Sequence, residues 1–143
     1  MNWDHNFPST SRFTILSEFN NEAVLDNNTG LVWERTPDNS SLNWASAISF
    51  GVGKAVGGTR GWRLPSIVEL VSLIDPSLPA PFVPPTVFNN VQQANYWSAT
   101  TRGNSPPDAW QVNFRFGNVI DAAGKGGSAL VWCVRGPMNS DTY

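Results

Sequence analysis

Five prolines fall between positions 76 and 85, within "PSLPAPFVPPTVF". Each proline fixes φ and removes a backbone donor, so this stretch can be neither a helix nor a central strand. It reads as an extended surface crossing, and it divides the chain. Helix signals stand before it and most strand signals after it.

The first helix is expected from Ser41 or Asn43, either of which can cap it. Trp44, Ala47, Ile48, Gly51 and Val52 then recur at helical offsets and form its apolar face. Glycines at 51, 53, 57 and 58 supply the stop. The second helix is marked more sharply, in "GWRLPSIVELVSLID". Ser66 and Glu69 have the S-x-x-E spacing of a capping box, and Pro65 holds Leu64 extended. Ile67, Leu70, Val71 and Ile74 make the expected buried stripe. Trp62 is expected in the core beside the turn. Arg63 reads as a partly buried clasp, hydrogen-bonded to carbonyls or a carboxylate and aligning the turn with a sheet.

Strand signals open with "RFTIL" at 12–16, in an arm that adds a strand or covers the domain edge. "VLDNNTGLVWER" predicts a strand, a turn over Asp26–Gly30 and a strand from Leu31 to Glu34. Later, "NYWSATT" is a short aromatic strand. "AWQVNFRF" alternates, which sends Trp110, Val112, Phe114 and Phe116 to one side and Gln111, Asn113 and Arg115 to the other. Gly117-Asn118 suits a two-residue hairpin turn into "VIDAA". "GKGGS" is a mobile turn and "ALVWCVRG" a final strand. "LVWER" and "LVWCVR" look alike, but no period links the segments between them. They read as two strands with similar packing roles, paired with each other. The resulting class is α+β.

A chain of 143 residues can bury one core, and here seven Trp and eight Phe are available for it. Burying one such ring contributes roughly 4–6 kcal/mol before entropy is counted. Only 14% of residues are charged, so Asn, Ser, Thr and Gly must finish the surface. A net charge of −2 supplies no basic stripe for nucleic acid. No apolar run approaches the ~20 residues of a membrane span. The opening "MNWDHNFPSTSRF" lacks the regions of a secretory signal. The expectation is a cytoplasmic protein or a chain trimmed of its leader.

Chemistry finds few footholds. His5 is the only histidine and Cys133 the only cysteine, so no internal disulfide and no held Ser-His or Cys-His pair is expected. Cys133 falls mid-strand and reads as a small buried hydrophobe. No zinc-type ligand set is visible. Asp26 and Asn28 alternate as calcium ligands would, but Gly30 and Leu31 break that pattern and favour a plain turn. "GVGKAVGG" imitates a phosphate loop, yet Ile48 and Ala55 stand where a glycine and a hydroxyl are needed. No cofactor, no metal and no catalytic residue is therefore expected.

"TGLVWER", "NWASAISF", "GGTRGWRLPSIVELVSLID", "YWSATT", "AWQVNFRFGNV" and "VWCVRG" occur in one order. Together they resemble the bacterial DUF1566 domain, the C-terminal domain of the Legionella collagen-like adhesin. The resemblance covers residues 22–136, leaving an arm at 1–21 and a tail at 137–143. It implies a C-type-lectin-like fold related to formylglycine-generating enzymes, with two helices packed on a small twisted antiparallel sheet and a loop-rich outer part. It also implies sulfated-glycan binding, surface display and trimerisation through a stalk that this chain lacks. Members often carry a cysteine where Gly51 stands, paired with the one matching Cys133; here that bridge is missing. A cytoplasmic location and a homo-oligomer both stay open.

The polar residues left for a ligand are Arg102, Asn104, Asp108, Asn113, Arg115, Asn118 and Lys125. Arginine forks grip sulfate or carboxylate, and amides suit sugar hydroxyls. The leading expectation is a non-catalytic recognition module for carbohydrate or sulfated glycan, using loops between 98 and 127. Its rival is a structural or protein-interaction domain with no such ligand.

Overall fold

The computed structural model describes residues 9–136; His5 and the tail lie outside them. In chain order the elements are α1 (Ser9–Arg12), β1 (Phe13–Leu16), a 3-10 turn (Ser17–Phe19), β2 (Ala23–Asp26), β3 (Val32–Glu34), α2 (Trp44–Val52), α3 (Ile67–Val71), β4 (Asn95–Thr101), β5 (Asp108–Asn113), β6 (Val119–Gly124) and β7 (Val134–Arg135). The class is α+β, with the antiparallel strands divided between two sheets. One sheet has the order β1-β2-β3-β7 and the other β4-β5-β6. "LVWER" and "LVWCVR" do pair, through Val32 with Arg135 and Trp33 with Val134.

The strands and the segment leading into β7 feed two separate cores. Val24, Trp33, Tyr96, Val112, Trp132 and Val134 enter one; Ala23, Trp97, Ala109, Val131 and Cys133 enter the other. Both sheets are therefore packed on both faces, which is why their sequences run apolar without alternating. The first core centres on Trp132, whose ring lies 5.3–5.8 Å from those of Trp33, Phe88, Tyr96 and Phe114. Leu70 of α3, Leu73 and Val83 close it. Around the second core stand Ala47 of α2, Phe19, Trp62 and Leu64.

Several local expectations change. The proline stretch forms no helix or strand, but Val83, Pro84 and Phe88 are buried, so it lids the first core rather than merely crossing the surface. Val52 and Val71 are exposed at the ends of their helices. The alternation over 110–116 breaks, because register shifts on both sides of β5 place Gln111 inside and the strand ends at Asn113. Phe114 stays buried while Phe116 turns out to solvent. The hairpin is accordingly wider than two residues: the Gly117 amide donates to the Asn113 carbonyl at 2.8 Å. "ALVWCVRG" is a strand only at Val134–Arg135; its earlier part bridges the sheets through Leu130 beside Tyr96. "GKGGS" is tied down, with the Lys125 amide donating to Pro107 and its carbonyl accepting from Trp44.

Candidate functional site

The turn at 61–66 is built from inside out. Trp62 is buried and its indole N–H donates to the Thr59 carbonyl at 2.8 Å. The Arg63 backbone exchanges two 2.9 Å hydrogen bonds with Val134, which adds this residue to the outer edge of β7. Its guanidinium forks onto Glu69, with Nη1–Oε1 at 2.7 Å and Nη2–Oε2 at 2.8 Å. The same carboxylate accepts from the Ser66 amide, while the Ser66 hydroxyl accepts from the Glu69 amide. Burial pushes the Glu69 carboxyl up, but the fork and the Ser66 amide outweigh it and hold it below the usual carboxylate range. Arg63 and Glu69 thus fasten α3 to β7, while the Pro65 carbonyl accepts from Ala99 and the Ile67 amide donates to Thr100 to join the turn to β4.

The seven polar candidates do not form one face. Arg102, Asn104, Asp108 and Lys125 gather where β4 ends and β5 begins. Asn113, Arg115 and Asn118 sit at the opposite hairpin, about 16 Å away along a strand of five residue steps. At the hairpin, the Asn113 side chain is consumed structurally. It donates to Asn95 at 2.7 Å and accepts from the Arg115 and Phe116 amides. Asn118 contributes its carbonyl to the Asn113 amide. Arg115 is exposed, its guanidinium 5.1 Å from the Phe116 ring.

The other end is organised differently. The Arg102 guanidinium stands between Asp108 at 3.8 Å and Asp121 at 3.9 Å, charge-paired with both but beyond hydrogen-bond reach of either. Asp108 is held by the Ser105 hydroxyl at 2.8 Å. Lys125 lies 4.0 Å from the centre of the Trp44 ring and donates to Thr101. Trp44 is itself fixed, its N–H donating to the Ser98 carbonyl. Asn104 is exposed at the tip of the intervening turn. Two cations and two carboxylates balance here, on side chains with defined positions.

A family model for the Lcl C-terminal domain matches residues 22–135. This chain belongs to that family. No individual curated protein matches it. In this Lcl C-terminal domain Gly51 faces backbone: a Cβ built there would lie 3.0 Å from the Leu64 nitrogen. The missing side chain thus lets α2 close onto the Arg63–Leu64 segment. Cys133 is fully buried, and its thiol is pushed up by that burial with Glu34 beside it. A thiolate is disfavoured there.

A second feature of the domain was not signalled by sequence. A cleft of 230 Å³ opens beside the end of β3, lined by Glu22, Glu34, Arg35 and Lys54 among others. Glu34 is buried on its floor. It accepts from the Cys133 amide at 2.7 Å and faces Lys54 at 3.2 Å. Burial pushes its carboxyl above the usual range, against the pull of the Cys133 amide and Lys54. Burial alone would lower the Lys54 ammonium, but Glu34 and Asp38 outweigh it and hold it above its ordinary value. The partners of Glu34 lie 20 and 99 residues along the chain, so no local motif announces them.

Proposed function

We propose that this Lcl C-terminal domain is a non-catalytic recognition module that binds a hydroxyl-rich glycan on the surface around Arg102, Asp108 and Lys125. The observation that carries the reading is the state of Arg102. Its fork is oriented by two carboxylates but its donors are not filled by them, so it can donate to a ligand without first losing a hydrogen bond. Trp44, Thr101 and Asp108 supply a fixed ring, a hydroxyl and an acceptor alongside. The balance of two positive and two negative charges suits a neutral or lightly charged glycan better than a densely sulfated one, which would meet Asp108 and Asp121.

A glycan array read with wild type and with Arg102→Gln and Lys125→Ala tests this. Selective signals in the wild type should fall at least about tenfold in both variants, a change of ~1.4 kcal/mol. Signals absent from the wild type, or retained by the variants, would remove the reading. Retention on a heparin column that depends on Arg115 instead would move the ligand to the hairpin. The protein-interaction reading draws on one specific observation: Phe116, 70% exposed at the hairpin tip with Arg115 over it, is the kind of anchor that protein interfaces bury.

A further inference from the structure

The cleft beside β3 carries two opposite charges that no side chain among the described residues neutralises. Arg35 and Glu22 both line it, and among the described residues neither has an ion-pair partner. Lys54 and Glu34 on the floor, by contrast, neutralise each other. Both unpaired groups are nevertheless held by main chain. The Arg35 guanidinium donates from Nε to the Val87 carbonyl at 2.9 Å and from Nη1 to the Asn21 carbonyl at 3.3 Å. The Glu22 carboxylate accepts the Gly57 amide on Oε2 at 2.7 Å. Gly57 presents that amide from a positive φ of 57°, and a Cβ there would stand 2.3 Å from the Phe19 carbonyl oxygen, so the position tolerates no side chain.

The walls themselves are braced. The Arg35 amide donates to Glu22 and the Asn89 amide to Arg35, each at 2.9 Å. A ligand would therefore spend little on ordering the side chains that meet it. Neutral carbonyls orient Arg35 without cancelling its charge, and a neutral amide does the same for Glu22. Arg35 retains Nη2, and Glu22 retains Oε1, for a ligand.

From this arrangement we infer that the cleft is a binding site for a small zwitterion of α-amino-acid size, with its carboxylate on Arg35 and its ammonium on Glu22. A simple anion would gain Arg35 but meet Glu22. A simple amine would gain Glu22 but meet Arg35. A zwitterion satisfies both ends with charge-assisted hydrogen bonds, and the cleft volume of 230 Å³ accommodates one small amino acid. The site shares no residue with the glycan surface, so the two readings stand or fall separately.

The test is amide chemical-shift mapping on the full, isotope-labelled chain, titrated in parallel with L-alanine, acetate, ethylamine and glucose. L-Alanine should give saturable shifts at Glu22, Arg35 and Lys54–Gly57, with millimolar affinity. Acetate and ethylamine should each bind at least about tenfold more weakly, since each keeps one of the two contacts. Glu22→Gln preserves an oxygen for the Gly57 amide while removing the charge, so the fold is kept and L-alanine should weaken about tenfold. Arg102→Gln should leave the titration unchanged. Acetate or ethylamine matching L-alanine would overturn the inference in favour of a simple ion site. So would glucose alone producing the shifts, an unchanged Glu22→Gln, or no saturable response to any probe.

Discussion

Glu34 and Glu69 are both buried glutamates, each facing one cation, yet their environments push them in opposite directions. Burial raises both. Glu69 answers with two short bonds from one guanidinium and an amide from its own capping box. Glu34 has one amide and a single ammonium contact at 3.2 Å. The planar fork fills both carboxylate oxygens at once, whereas the ammonium approaches one of them. Glu69 is thus a closed structural joint, and Glu34 is a costlier charge kept at the floor of an open cleft. The contrast separates a carboxylate that builds the fold from one retained beside a binding site.

The sharpest way to break the comparison is Glu69→Ala. That change takes the carboxylate away from a partly buried guanidinium and opens the capping box, and it should cost about 3–5 kcal/mol. Equilibrium denaturation measures it; a loss under ~1 kcal/mol, the range of an exposed ion pair, would show that the joint is not closed. Arg63→Lys asks a narrower question. It keeps the charge and removes the fork, and should cost about 1–3 kcal/mol. If the lysine variant melts with the wild type, the fork is no better than a point charge, and geometry does not explain why Glu69 and Glu34 differ.

Glu69 could be read from the chain because everything that defines it lies within six residues of it. Ser66, Glu69 and Pro65 specify a helix start by local rules, and Arg63 is the nearest cation. Glu34 could not be read this way. Alternation would place it opposite Trp33 and in water, but β3 is packed on both faces, so Trp33 and Glu34 are both buried. The apolar, non-alternating runs "LVW" and "LVWCV" were the available signal that these strands have no solvent face. The division of the seven ligand candidates between the two ends of a strand has another cause. Their types were legible, but which end of a strand each occupies depends on where the strand stops and on register shifts that pairing alone decides. Arg102 and Lys125 come together only because the turn at 124–128 is pinned to Pro107 and Trp44.

The smallest expected effect is also the most direct on the comparison, because it reverses sign between the two residues. Glu69 is held below its ordinary value of 4.5, so its contribution to stability is present above that pH and is lost as pH falls through its folded pKa. Glu34 is held above 4.5, so the folded state binds its proton more tightly than the unfolded state does. The contribution of Glu34 is therefore present below that value and lost as pH rises through its folded pKa. Melting temperatures of wild type, Glu69→Gln and Glu34→Gln, taken from about pH 3 to 8, resolve both slopes. The advantage of wild type over Glu69→Gln should grow as pH rises, and most of that growth should come by pH 4.5. The wild type should instead lose ground to Glu34→Gln over the interval above 4.5. Each replacement changes contacts as well as charge, so the offset between curves carries no weight and the direction of each slope does. Two slopes of the same sign would mean that Lys54 serves Glu34 as fully as Arg63 serves Glu69, and the distinction between joint and cleft floor would be lost.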